Sequence, residues 1–386
     1  MSSSASALSQ PTSRIVSLDV FRGITIVGMI LVNNPGSWSH VYPPLLHAKW
    51  HGWTPTDLVF PFFLFIVGVA VVLAFEKRLS QGVEARTLVP KLLRRSAVLF
   101  LLGLFLAGYP FFTFSPEFGL SSSLTSIRIP GVLQRIAVCY LVVSLLYLFT
   151  TTRTQVIISV VILLGYWLAM KVIPVPGYGA GLIDEPTATL SAYIDRLVFG
   201  QHLWAAVDHQ WDPEGLLSTF PAIVTTFLGV WAGRILISPR ETVDRAVTLF
   251  AYGVLLIIAG YIWSWFFPIN KGIWTSSYVV FTGGQAFAFL ALCYYFIDLR
   301  GYKGWSEPFV VYGVNAITVF VMSGVVARTL SLIKVGDISL SAFLYQNVFS
   351  AVLPPKPASL AYAIVWIVGW YLVLLVMYRR RIIIKI

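Results

Sequence analysis

Charge is scarce in this sequence: Asp, Glu, Lys and Arg make up 11% of its 386 residues, and 58% are hydrophobic. A soluble domain typically carries about a quarter charged residues, so a water-soluble globule is excluded and a polytopic membrane protein fits. Cysteine is almost absent too. Cys139 and Cys293 each sit inside an apolar run, which leaves no disulfide framework, no redox pair and no thiolate metal site. Acids are outnumbered by bases, 16 to 27. Those bases are dispersed between apolar runs instead of forming one patch, so membrane topology explains them and nucleic acid is not an expected partner. The one low-complexity stretch is MSSSASALSQPTSR, a polar tail (1–14) expected to be disordered. The remainder, 15–386, reads as a single transmembrane domain. Its first apolar segment holds Asp19 and Arg22 and lacks a small-residue cleavage site, so it is expected to stay attached.

What the chain does have is long apolar runs. A helix needs roughly 20 mostly apolar residues to cross a bilayer, and about ten segments qualify: 16–34, 58–75, 96–114, 129–149, 155–173, 215–236, 246–267, 277–297, 308–328 and 359–378. The expected fold is therefore an all-α polytopic bundle. Orientation follows from the charges between spans. One side, with both termini and the loop near 76–95, takes about 18 bases and about 7 acids. The other takes about nine of each. The Lys/Arg excess puts the first side, and both termini, in the cytoplasm. Within the long external segment 174–214, Leu190, Tyr193, Ile194, Leu197 and Val198 follow a helical spacing, which predicts a short interfacial helix.

Ionisable groups inside a membrane are costly and usually face a cavity or a partner. Here they gather at two levels. The cytoplasmic level has Asp19 and Arg22, three apart on one helix, readable as a structural ion pair or as part of an anion site. The external level has His47, Lys49, His51 and Asp57, then Arg128 and Arg135, then Asp212 and Glu214. Imidazole has an ordinary pKa near 6.5 and exchanges protons at neutral pH, which makes His47 a candidate base with Asp57 to fix its tautomer. An interfacial histidine with its tip in water is the plainer reading. Asn33 and Asn34 close the first span; an amide there either donates to a developing oxyanion or caps the helix. Arg128 and Arg135 bracket RIPGVLQR and suit either an anion or a neighbouring acid. His202 and His209 lack a recognised metal-ligand spacing, so no metal is expected.

Five blocks occur in a fixed order: SLDVFRGITIVGMILVN (17–33), HAKWHGWTPTDLVFP (47–61), RIPGVLQR (128–135), WDPEGLLSTFPAIVTTFLGVWAGRI (211–235) and YGVNAITVF (312–320). Together they resemble the membrane domain of the heparan-alpha-glucosaminide N-acetyltransferase family and its bacterial relatives, from about residue 15 to the last span. The resemblance implies a transmembrane acyltransferase domain that moves acetyl from cytoplasmic acetyl-CoA to a glucosamine amine across the membrane. It places the family's catalytic histidine on His47 and its implicated asparagine on Asn33. It also implies a homodimer. Asp57 falls in the matching DLVFP block, with a supporting role as our own suggestion. Only the short polar tail precedes the first span, so a bacterial inner-membrane protein acting on an external amino sugar or glycan end is expected, with heparan sulfate disfavoured. Acetyl-CoA phosphates are expected at the basic face, with Asp19, Arg22, Arg128 and Arg135 as candidate cofactor-binding residues. Two other readings stay open. One is an amino-sugar transporter; the other is an O-acetyltransferase of an envelope polysaccharide. Direct transfer and an acetyl-histidine route are likewise both open.

Overall fold

The computed structural model describes residues 15–113 and 118–384; the N-terminal tail expected to be disordered lies outside the described residues. Its helices are α1 (Val16–Asn33), α2 (Val59–Leu79), α3 (Ala85–Gly108), α4 (Val132–Phe149), α5 (Thr152–Val172), α6 (Leu190–Phe199), α7 (Leu216–Ile237), α8 (Thr242–Trp263), α9 (Ser276–Cys293), α10 (Glu307–Val314), α11 (Ala316–Leu332), α12 (Leu340–Leu344) and α13 (Pro355–Arg379). Among the described residues, strand pairing forms only two antiparallel pairs of two-residue strands. Helix is what the apolar runs demand, because lipid offers no partner for an open backbone N–H or C=O. The chain is an all-α polytopic membrane protein.

The expected spans are recovered with two differences. Among the described residues, eight helices are long and apolar enough to cross a membrane. The segment expected at 308–328 is instead α10 and α11, bent by 79° at the break between them. The break falls at Asn315, whose buried amide donates to Ile382 O (3.0 Å) and accepts from Ile384 N–H (3.1 Å). A side chain that binds the C-terminal segment in this way supplies partners that a continuous helix would not need. The third expected segment, 96–114, overlaps α3, which starts earlier, ends at Gly108 and carries Lys91, Arg94 and Arg95 along its first half. Those charges make α3 less apolar than the eight. The short helix expected in the 174–214 segment is α6, capped by the Thr189 hydroxyl, which accepts from Ala192 N–H.

Apolar side chains gain little from leaving lipid for a protein interior, so membrane helices depend on close packing and small residues. Two helix pairs show this. A Cβ on Gly68 of α2 would stand 1.9 Å from Thr226 O, and one on Gly229 of α7 would stand 1.9 Å from Phe65 O. A Cβ on Gly23 of α1 would stand 1.8 Å from Phe309 O, and one on Gly313 of α10 would stand 2.1 Å from Asp19 O. Both pairs therefore touch backbone to backbone. Helices α7 and α9 are mostly buried and central; α5, α8 and α13 expose apolar side chains such as Leu164, Leu168, Leu255, Ile258 and Leu372 on the perimeter.

The two ends differ. Val16 and Ser17 N–H groups donate to Asp298 (3.2 and 3.1 Å), and the C-terminal segment meets Asn315 beside the contact of Gly313 with α1. Both described termini therefore lie at one end, called here the arginine end. His47 stands at the other.

Candidate active site

The histidine end is organised around one carboxylate. The sequence TPTD (54–57) folds as a 3-10 turn that leads into α2, with Thr54 and Asp57 forming a reciprocal cap. Asp57 accepts from Ala48 N–H (3.0 Å), Thr54 N–H (3.0 Å) and the Thr54 hydroxyl (3.2 Å), all at Oδ2. Its other oxygen, Oδ1, lies 2.6 Å from His47 Nδ1. Tyr278 of α9 donates to the Asp57 carbonyl at 2.6 Å. Asp57 is 1% exposed, and an ionised carboxylate can only accept. His47 Nδ1 therefore carries a proton donated to Asp57, and Nε2 holds the free lone pair of the neutral ring. His47 itself is half exposed, 50% by side chain. A buried anchor with an accessible ring is the layout a general base requires.

Sequence reasoning missed the third member of this cluster. Lys271, from the α8–α9 connection, places Nζ 3.0 Å from His47 Nδ1, 3.3 Å from Nε2 and 3.7 Å from Asp57 Oδ1. Burial, offset only in part by Asp57, holds this amine below the usual lysine range. The sequence did contain a signal. Lys271 is the sole charge in the long stretch from Ala246 to Ile297.

The other external residues have different neighbours. His51 pairs with Asp184 (2.8 Å) and lies 3.2 Å from the Asn270 amide. His202 and His209 donate to the carbonyls of Ile127 and Leu203. Arg128 makes a bidentate bond to Asp212 (2.8 and 2.6 Å) and a third to Glu214 (2.5 Å). Burial alone would favour releasing its proton, but the two carboxylates outweigh that and raise its pKa. Arg135 is fully buried against the Trp274 ring and donates to Gly215 O (3.0 Å) and Ser218 Oγ (2.5 Å), tying α4 to the start of α7. Asp195 of α6 accepts from Leu216 N–H (2.8 Å), and burial pushes its carboxyl up to about 7.

Two cavities lie along the bundle. The first, about 470 Å³, opens among Arg22, Arg78 and Arg95 at the arginine end and continues between apolar walls to Leu133 and Phe320. Arg22 also bonds Asp19 (3.1 Å) and Gly313 O (3.2 Å). The second, about 550 Å³, is lined by Asn33, Asn34, Arg128, Trp204 and Arg328 at the histidine end and again reaches Leu133 and Phe320. The same two side chains thus line both spaces and stand between them. Asn34 turns back to Ile30 O (2.9 Å) as a helix cap, and both Asn33 and Asn34 line the second cavity. His47 lines neither cavity. Its 3-10 support lies near the last turns of α1, where α1 and α2 run close together: a methyl on Gly28 would stand 3.7 Å from the Val59 side chain. Among the candidates, the structure brings together His47 and Asp57, and it adds Lys271 to them. It sets Asn33 and Arg128 in the second cavity, Arg22 in the first, and Arg135 in the packed interior.

Residues 14–243 match the family described as "Heparan-alpha-glucosaminide N-acetyltransferase, catalytic". The chain is 33% identical to the human protein named heparan-alpha-glucosaminide N-acetyltransferase over 364 residues, covering 81% of this chain and 53% of that protein. The mouse protein of the same name is 32% identical over 359 residues, covering 80% and 53%. The chain spans about half the length of the curated relatives it matches.

Proposed function

Because the chain belongs to the heparan-alpha-glucosaminide N-acetyltransferase catalytic family, we propose that it transfers acetyl from acetyl-CoA at the arginine end to a glucosamine-type amine at the histidine end. The observation that carries the reading is the pair of cavities that share Leu133 and Phe320 in their walls, cationic at one mouth and lined by Asn33 at the histidine end of the other. Acetyl-CoA is polyanionic at its nucleotide and slim and uncharged along its thioester arm. Arg22, Arg78 and Arg95 suit the phosphates, and the apolar walls suit the arm. The basic mouth then faces the cytoplasm of a bacterial cell, in keeping with the Lys/Arg excess on that side.

At the other end, the acceptor amine attacks only when it holds a lone pair. Its nitrogen adds to the acyl carbon while His47 Nε2 takes the departing proton. The C–S bond then breaks, and the thiolate of CoA recovers that proton from His47. Asp57 holds Nδ1–H, so the proton-free nitrogen faces outward before the amine arrives. Asn33 supplies an amide donor for the developing oxyanion, an interaction whose loss costs on the order of 10²–10³ in rate elsewhere. The acceptor is external, and His47 bonded to Asp57 also suits a hydroxyl acceptor.

One feature favours a second reading. Broken helices are common where secondary transporters bind substrate, and α10–α11 is such a helix. The test is incubation of the detergent-solubilised protein with acetyl-CoA and glucosamine. Transfer yields N-acetylglucosamine and one free CoA thiol per product. A transporter yields neither, and an O-acetyltransferase yields an alkali-labile ester.

A further inference from the structure

Lys271 has no role in the reaction above, yet it lies against both partners of the proposed base. Its Nζ is nearly equidistant from the two ring nitrogens of His47, 3.0 and 3.3 Å. Those nitrogens flank a single carbon, and their in-plane directions diverge, so one atom cannot align with both. The amine therefore acts on the ring through its charge and contact rather than through one well-aligned hydrogen bond. It is also 3.7 Å from Asp57 Oδ1, the oxygen that receives Nδ1–H. Lys271 arrives from the turn Pro268–Thr275, which is tightly pinned. Asn270 Oδ1 accepts from Ile273 N–H (3.0 Å), Asn270 N–H donates to the Thr275 hydroxyl (3.0 Å), and the Asn270 carbonyl accepts from Thr275 N–H (3.1 Å). A turn held this firmly aims its lysine.

We propose that Lys271, in its ammonium form, is the positioning cation of the site: it balances the buried Asp57 carboxylate and fixes the His47 ring against it. The inference rests on the function proposed above. A buried carboxylate facing a half-exposed imidazole has one strong partner at Oδ1 and can let the ring swing to solvent. A cation placed across both holds the ring at the angle that points Nε2 outward. Other groups around the ammonium come from several elements. Glu214, ahead of α7, favours its charge, and Arg135 of α4 opposes it. His51 bonds the neighbouring Asn270, and the Tyr278 hydroxyl is occupied by the Asp57 carbonyl. Burial weakens the ammonium's hold on its proton, so the charge is lost at lower pH than in an exposed lysine.

The test is a pH–rate profile of kcat for acetyl transfer by the full-length wild type, K271R and K271M. Wild-type activity should fall on the alkaline side as Lys271 loses its proton. Arginine stays protonated, so K271R should keep activity to higher pH, even at a lower plateau. K271M should lose at least about tenfold in kcat at pH values below the wild-type alkaline limb, with the deficit closing as that limb is crossed and KM for acetyl-CoA within about twofold of wild type. Retained acetyl-CoA binding shows that both variants are folded. An alkaline limb that is the same in K271R and wild type, or a K271M enzyme of normal kcat, overturns the proposal. If H47A also retains activity, the base assignment itself fails; if H47A is inactive while K271M is normal, only the role of Lys271 fails.

Discussion

The two ends of the bundle handle charge in opposite ways. At the histidine end, cations and carboxylates are matched at close range: Lys271 with Asp57, and Arg128 with Asp212 and Glu214. At the arginine end, Arg22, Arg78 and Arg95 line the first cavity, and the described residues lining it include no acid. Arg22 shares a bond with Asp19 outside that lining, which still leaves the mouth cationic on balance. Matched charges in a protein interior fix geometry, because an unpaired one is expensive to bury. A net positive charge around an open mouth attracts an anion from solution. Chemistry that needs precise placement belongs at the first kind of end, and capture of a polyanion belongs at the second.

The contrast is tested hardest at His47. H47A should lower kcat on the order of 10²–10⁴-fold, the usual range for a general base, while acetyl-CoA binding by calorimetry stays near wild type. D57N should follow with a kcat loss of about 10²-fold or more, since the ring loses the acceptor that fixes its tautomer. It should also unfold at a lower temperature, because the amide cannot accept at both oxygens as Asp57 does. At the arginine end the pattern should invert. R78Q and R95Q should each raise KM for acetyl-CoA about tenfold, the cost of roughly 1.5 kcal/mol for one charge-assisted contact. Their kcat should stay nearly unchanged. Between the ends, F320W should narrow the junction, lowering kcat severalfold without weakening nucleotide binding.

The smallest effect concerns Asp195. Its carboxyl is pushed from the ordinary 3.8 to about 7, so the folded protein binds a proton that the unfolded chain releases across that range. The stability this group contributes is fully present below about pH 4 and is lost as pH rises through about 7. D195N should flatten this dependence and raise the melting temperature by a few degrees at pH 8. Melting curves of wild type and D195N between pH 5 and pH 8 check it.

Much of this was legible in the residues. The apolar runs announced the helices, and the Leu190–Val198 spacing announced α6. His47 and Asp57 stand ten apart in a loop with one proline between them, and the five ordered blocks drew attention to both. Other parts depend on long-range contacts that local pattern does not encode. Lys271 lies 224 positions from His47, and long-range contacts such as Gly52 N–H to Ile269 O and Tyr278 to the Asp57 carbonyl bring them together. The bend at Asn315 was hidden because the flanking residues stay apolar through the break, while the amide at the break bonds a segment nearly seventy positions away. Arg128 and Arg135 looked alike from RIPGVLQR. Only the structure separates an arginine claimed by two carboxylates from one sealed against Trp274.

The decisive experiment uses sealed vesicles with the arginine-lined mouth outward, glucosamine trapped inside and acetyl-labelled acetyl-CoA supplied only outside. Transfer across the bilayer should give labelled N-acetylglucosamine in the lumen and unlabelled CoA in the medium. Product formed only when donor and acceptor share one compartment would overturn the division of labour between the two ends, as would passage of unmodified sugar with the donor left intact.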